Sequence, residues 1–354
     1  MPYPEFGLFD TFGRDELGAD GAVADMFEAH IEDAQAAERL GYRYYFFIEH
    51  QNAGFPCVSS PNVFLAAVAR ATKTLRFGPM VYQLPTHHPV RLAQDSAMVD
   101  QLSRGRLEFS IGYGTRVAEL ERWCLDFKQR REMGVEAMDI ILQAWTQDKL
   151  DYRGRYWSFD GALPQPRPYQ KPHPPVWMGC HSRASFEYAA QHNFHVAQNM
   201  DTERTIADKF AFFRRAWQDR GHDGPMPHQL LVRHVHVAES DAQARAESEP
   251  YMREGLGGAG GVARARSLRP EEQTPEMLEI SRLYLETTRS YDFWIDEGLA
   301  LIGSPETVIG RLHQQQQLTG VDVFCTQHSI ASMPAALVRK SLHLFGAKVI
   351  PAFA

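Results

Sequence analysis

The residues best suited to chemistry stand in "YFFIEHQNAGF", Tyr45–Phe55, where an apolar run ends in Glu49, His50 and Gln51. An imidazole titrates near neutral pH, and an adjoining carboxylate makes the pair fit for moving protons. Three other stretches end apolar runs in reactive or permissive residues: "GPMVYQLPTHHPVR" (78–91), "IGYGTR" (111–116) and "GCHSRAS" (179–185). In the last, Ser182 and Ser185 stand at the start of an expected helix, where backbone N–H groups and the helix dipole favour an anion. Arg183, or an arginine from elsewhere, would complete a phosphate clamp. A plain serine N-cap explains the same residues equally well. Gly112-Tyr113-Gly114 would let a flat ligand approach the backbone, or form a simple turn. His87 and His88 precede Pro89, and "RHVHV" (233–237) puts two histidines on one strand face. Neither spacing comes with the matching acid of a metal site, so no metal is expected. No GxSxG nucleophile elbow is present, and the first strand is not followed by GxGxxG.

These residues must be held by the elements they terminate. The pattern repeats: a short apolar run, a turn, an amphipathic helix. Strands are expected at 5–12, 42–48, 74–82, 105–114, 175–180, 194–198, 230–238 and 321–327, with helices between them. Asp20 is placed as the cap of the first helix and Gly41 as its stop, while Pro61, Pro89 and Pro305 open later helices. Strands this continuously apolar suit a parallel sheet covered on both faces. The fold expected is α/β: a (β/α)8 TIM barrel with insertions after strands 4 and 7, forming a single domain over 1–354. A doubly wound open sheet is the alternative. The first insertion, 148–175, carries six prolines. The second, "GLGGAGGVARARSLRPEEQ" (255–273), reads as a mobile loop. In a barrel the site lies at the C-terminal ends of the strands, which accounts for Glu49 and His50 after strand 2.

The chain has 354 residues, 44% of them hydrophobic, and a net charge of −7. No Lys/Arg run points to nucleic acid and no apolar run has membrane-spanning length, so neither partner is expected. The N-terminus lacks the charged and apolar regions of a signal peptide. Cys57, Cys124, Cys180 and Cys325 show no CxxC spacing and read as reduced cysteines of a cytoplasmic protein.

Taken in order, "FGLFDTF", "RLGYRYYFFIEHQNAGF", the segment 78–114, "VWMGCHSRASFEYAAQHN", "LIGSPETVIGRL" and "LTGVDVFC" resemble the bacterial luciferase-like family of flavin-dependent monooxygenases. The resemblance spans residues 6–325 and implies the barrel fold. It implies that His50, the first histidine after strand 2, is catalytic, close to the reactive flavin edge; Gln51 replaces a second histidine found in luciferase-type members. It places a non-proline cis peptide at Met80–Val81 beneath the flavin ring. Glu49, Met80, Val81, Tyr113, Arg131, Gly179, Cys180, His181, Ser182 and Ser185 would contact the cofactor, the last group with Arg131 (or Arg130) at its phosphate. Tyr113 stands where luciferase has an arginine, and Gly112 where it has a reactive cysteine. The loop 255–273 falls where the family carries an active-site lid.

The implied activity is that of a two-component monooxygenase. Reduced FMN would come from a separate NAD(P)H:flavin reductase and react with O2 through a C4a-(hydro)peroxyflavin. A small, apolar organic substrate would then be oxygenated by an enzyme acting as a homodimer. Two alternatives stay open: an F420-dependent hydride-transferring oxidoreductase of the same superfamily, and a non-catalytic flavin-binding paralogue.

Overall fold

The computed structural model describes residues 4–12, 22–51, 57–255 and 268–353. Asp20 and most of the expected lid, 256–267, lie outside the described residues. Among the described residues twelve strands follow in chain order. They are β1 Glu5–Asp10, β2 Tyr44–Phe47, β3 Arg76–Pro79, β4 Tyr82–Gln83, β5 Phe109–Gly112 and β6 Leu150–Arg153. After them come β7 Ser158–Ala162, β8 Val176–Gly179, β9 His195–Gln198, β10 Gln229–Val237, β11 Ala300–Gly303 and β12 Val323–Gln327.

The main sheet runs β3-β2-β1-β12-β10-β9-β8-β5-β4, all neighbours parallel, with β11 alongside the second half of β10. It curls into a nearly closed barrel. Phe77 in β3 bridges Leu107 just ahead of β5, its N–H donating to Arg106 O at 3.0 Å and its carbonyl accepting from Glu108 N at 2.8 Å. Gly78 makes this closure possible, since a Cβ there would lie 1.9 Å from the Glu108 carbonyl oxygen. The expected third strand, 74–82, is two pieces: β3 ends at Pro79, the Met80–Val81 peptide is cis, and β4 pairs onward with β5. Two features were absent from the sequence expectation: the β6–β7 hairpin within the proline-rich insertion, and β11.

Alternation along the strands divides the core. Tyr44 and Phe46 point inward to Trp177, Leu230, Val232, Val323 and Cys325, filling the barrel. Tyr45 and Phe47 point outward into the larger layer beneath the helices. Polar caps fix where the helices begin. Ser182, Thr202, Thr274 and Ser304 each accept the N–H three residues on, and Pro305 follows Ser304 as the first helical residue. Among the described residues no helix is long and apolar enough to cross a membrane.

Candidate active site at the barrel mouth

The strands deliver their C-terminal residues to one cavity of about 190 Å3. Its wall includes Phe9 near the end of β1, Ile48, Glu49 and His50 after β2, Met80 and Val81 between β3 and β4, and Gly112 at the end of β5 with Tyr113–Thr115 after it. Gly179 and His181 enter from β8, and Gln198 and Asn199 from β9.

His50 faces this cavity. Its Nδ1 lies 3.1 and 3.3 Å from the two oxygens of Glu119, which is buried. Burial opposes ionisation of Glu119, but His50, Arg116 and Gln83 together hold its carboxyl below the usual carboxylate range. Glu119 sits on the short helix Val117–Arg122, directly after the "GYGTR" turn. With Nδ1 engaged, the other ring nitrogen, Nε2, is the one left to act on a bound molecule.

Glu49 is turned differently. One oxygen accepts from Gln83 N at 2.8 Å, the other from His87 Nε2 at 2.8 Å and from Gln51 Nε2. Its carboxylate is fully engaged with the protein, so it braces the loop after β2. Gln51 is thus part of this brace. Gln83 joins the two carboxylates, donating also to Glu119 at 3.3 Å and to the Glu49 carbonyl at 3.1 Å.

Val81 forms an apolar floor. A Cβ on Gly112 would come within 2.4 Å of Val81 Cγ2, and one on Gly179 within 3.3 Å of Val81 Cγ1, so two bare backbones flank this side chain. Beyond the floor, the predicted phosphate residues converge. Ser182 caps the helix Arg183–Gln191, accepting Ser185 N, while the Ser185 hydroxyl donates to Ser182 O at 2.6 Å. Arg131, exposed, donates to Ala184 O at 3.2 Å. The Tyr113 hydroxyl is buried without a hydrogen-bond partner among the described residues. Burial raises its pKa, with Arg131 close enough to act in the opposite sense.

Of the predicted residues, Glu49, His50, Met80, Val81, Tyr113, Gly179 and His181 line the cavity, and Arg131, Ser182 and Ser185 gather past its far end. Cys180 is placed otherwise: its thiol is in the core, pushed up to about 12 by burial. Only its backbone can contribute. Sequence reasoning missed Glu119, Gln83, Gln198 and Asn199. The first was readable as a carboxylate close behind a glycine-rich strand end; the others carry no signal of their own. Among the described residues no group of three His, Cys, Asp or Glu could hold a metal ion.

The cavity thus has an apolar floor at Val81, an imidazole at one end and a cluster of hydroxyl, backbone amide and guanidinium groups past the other. Residues 4–322 match the family of luciferase-like monooxygenases, and the chain belongs to that family. Among characterised relatives, the oxygenase component of a flavin-dependent trigonelline monooxygenase from Acinetobacter baylyi is 29% identical over 62% of this chain and 62% of its own length. Limonene 1,2-monooxygenase from Rhodococcus erythropolis is 25% identical over 98% of this chain and 88% of its own. A Sinorhizobium fredii protein, y4wF, reaches 34% identity, though the chain spans only 55% of that relative's length. The fold is shared with the FMN-bound oxygenating constituent of 3,6-diketocamphane monooxygenase from Pseudomonas putida (TM-score 0.79, 20% identity, 99% and 98% coverage). It is also shared with an F420-dependent secondary alcohol dehydrogenase (TM-score 0.75, 18% identity, 99% of each chain).

Proposed function

We propose that the protein is the oxygenase component of a two-component monooxygenase that takes reduced FMN from a separate NAD(P)H:flavin reductase and oxygenates a small, apolar organic molecule. The observation that carries this is the cavity itself: His50, backed by Glu119, faces one end of an apolar floor whose other end leads to Tyr113, Arg131 and the Ser182 turn. The relative named an oxygenase component supports the separate reductase.

The residues fit the cofactor. Met80 and Val81 would lie beneath its ring, with Gly112 and Gly179 making the room in which the Val81 side chain is seated. The buried, unpartnered Tyr113 hydroxyl and the Arg131 guanidinium suit its phosphate end, and the Ser182–Ser185 turn adds the N-terminal N–H groups of the helix Arg183–Gln191. Bound reduced flavin would supply the reaction with oxygen. The chain's own work is to orient the ring, exclude water and accept a proton at His50 Nε2. Phe9, Ile48, Met80 and Val232 add apolar surface to the wall, in keeping with an uncharged substrate.

We also propose a homodimer through the helices Pro61–Ala71 and Pro89–Ser103, whose Val63, Met98 and Leu102 are 72%, 51% and 52% exposed. Apolar residues so exposed on adjacent helices are what a partner surface would cover.

The test is to bind chemically reduced FMN without air, mix with oxygenated buffer, and follow flavin absorbance by stopped flow. A transient near-UV species before the oxidised spectrum returns, shortened in His50→Ala, is expected. Reduced FMN that fails to bind, or oxidises as it does in plain buffer, overturns the reading. Hydride transfer with F420, a chemistry known on the same fold, would then take its place.

A further inference from the structure

We propose that Glu119 is the positioning residue for His50, and that the segment Leu268–Gln273 sets Glu119 in place from outside the cavity. The inference rests on the reading of His50 given above.

The helix Val117–Arg122 lies beside the cavity. Its apolar side, Val117 and Leu120, packs with Phe127 and Leu125 in a small cluster separate from the main core. Its first N–H, that of Val117, donates to Glu272 Oε1 at 3.1 Å, 155 residues along the chain. The other oxygen of Glu272 accepts Arg269 N at 2.9 Å, and Arg269 Nη1 donates to Glu121 Oε1 at 2.6 Å. Glu272 and Arg269 therefore grip the helix at its first residue and at Glu121, one on either side of Glu119 in sequence. The grips are unequal. Arg269 and Glu121 are about half exposed, where ion pairs add little, while Glu272 satisfies a backbone donor that the helix start cannot satisfy itself.

A carboxylate beside an imidazole nitrogen decides which nitrogen carries the proton. Glu119 lies against Nδ1, so it fixes the Nδ1–H form and leaves Nε2 as the acceptor towards the cavity. Isolated imidazole side chains favour the opposite form, so the tautomer reports the positioning directly. A shift of the helix that drew Glu119 away would release His50 to turn its ring or exchange its proton. The segment Leu268–Gln273 then governs the state of a histidine it does not touch.

The experiment is nitrogen-15 NMR of histidine-labelled full-length protein above neutral pH, with the His50 signal identified by its loss in His50→Gln. Flavin oxidation by stopped flow runs in parallel. Expected are a proton on Nδ1 in the wild type, its transfer to Nε2 in Glu119→Ala, its retention in Glu119→Gln (which keeps an acceptor oxygen), and a mixture in Arg269→Ala/Glu272→Ala. The last variant leaves every cavity residue in place and answers the question if Glu119→Ala does not fold. A wild-type proton on Nε2, or a double variant indistinguishable from wild type, overturns the inference. If the tautomers behave as expected but neither His50→Gln nor Glu119→Ala changes flavin oxidation, the inference stands and the monooxygenase reading falls.

Discussion

At the scale of single residues, the site separates two neighbours that the sequence presents as a pair. Glu49 is spent on Gln83, His87 and Gln51, whereas His50 looks into the cavity and takes its carboxylate from Glu119. His50→Ala is expected to lower turnover by about 10²–10⁴-fold, the usual worth of a positioned acid or base, with flavin affinity little changed. Steady-state kinetics alongside a flavin titration would separate the two effects. Arg131→Ala is expected to do the reverse. Losing one charge-assisted contact to phosphate costs about 1.5–3 kcal/mol, or roughly 10–150-fold in FMN affinity, while riboflavin, which lacks the phosphate, should bind both proteins alike. His50 and the Ser182 turn were legible in the sequence because each closes an apolar run and carries its chemistry in consecutive residues. Glu119 was harder to see, because its role depends on a turn that folds it back 69 residues away against His50.

At the scale of elements, helices bounded by proline, serine and glycine were readable nearly to the residue. Pro89–Ser103 and the helix opened by Ser304 and Pro305 are examples. Strand β11 was not, because "ALIG" is four residues with no alternation and joins β10 outside the repeat of strand and helix. The break between β3 and β4 likewise leaves no mark in an apolar run that reads as one strand. Two glycines test this region. Gly78→Ala would force a methyl group against the Glu108 carbonyl where the barrel closes. Overpacking of this kind costs about 1–3 kcal/mol, so a lowered midpoint in urea is expected without loss of fold. Gly112→Ala would push Val81 off the floor of the cavity; its expected mark is weaker FMN binding with the urea midpoint less affected.

For the whole molecule, histidines buried as neutral groups contribute to the loss of stability in acid. Burial lowers His328 from 6.5 to about 3, with His236 adding to the effect; burial and Arg233 lower His234 to about 4. Below pH 6.5 the unfolded chain binds protons at these sites that the folded chain refuses. Their stabilising contribution is complete above pH 6.5 and drains away as pH falls towards 3 to 4, by at most about 1.4 kcal/mol per pH unit for each group. Thermal unfolding followed from pH 7.5 to pH 5 should show the midpoint falling only on the acid side of 6.5. For the proposed dimer, Met98→Glu with Leu102→Glu is expected to halve the mass seen by light scattering, and an unchanged mass would remove those helices from the interface. The barrel was legible as a whole because its grammar repeats, while the proposed partner surface was not, since apolar helix faces look alike whether they meet a sheet or another chain.

Strand β1 is flanked on one side by β2 and on the other by β12, and Thr11 beside it hydrogen-bonds Ser329, 318 residues away. During synthesis, at roughly 5–20 residues per second, the second neighbour of β1 leaves the ribosome on the order of 15–60 s after the first. For that interval a growing chain carries an unpaired parallel edge rich in phenylalanine, the kind of edge that recruits other chains. Yield in cells should therefore depend on translation speed and chaperone supply more steeply than the stability of the finished barrel would suggest.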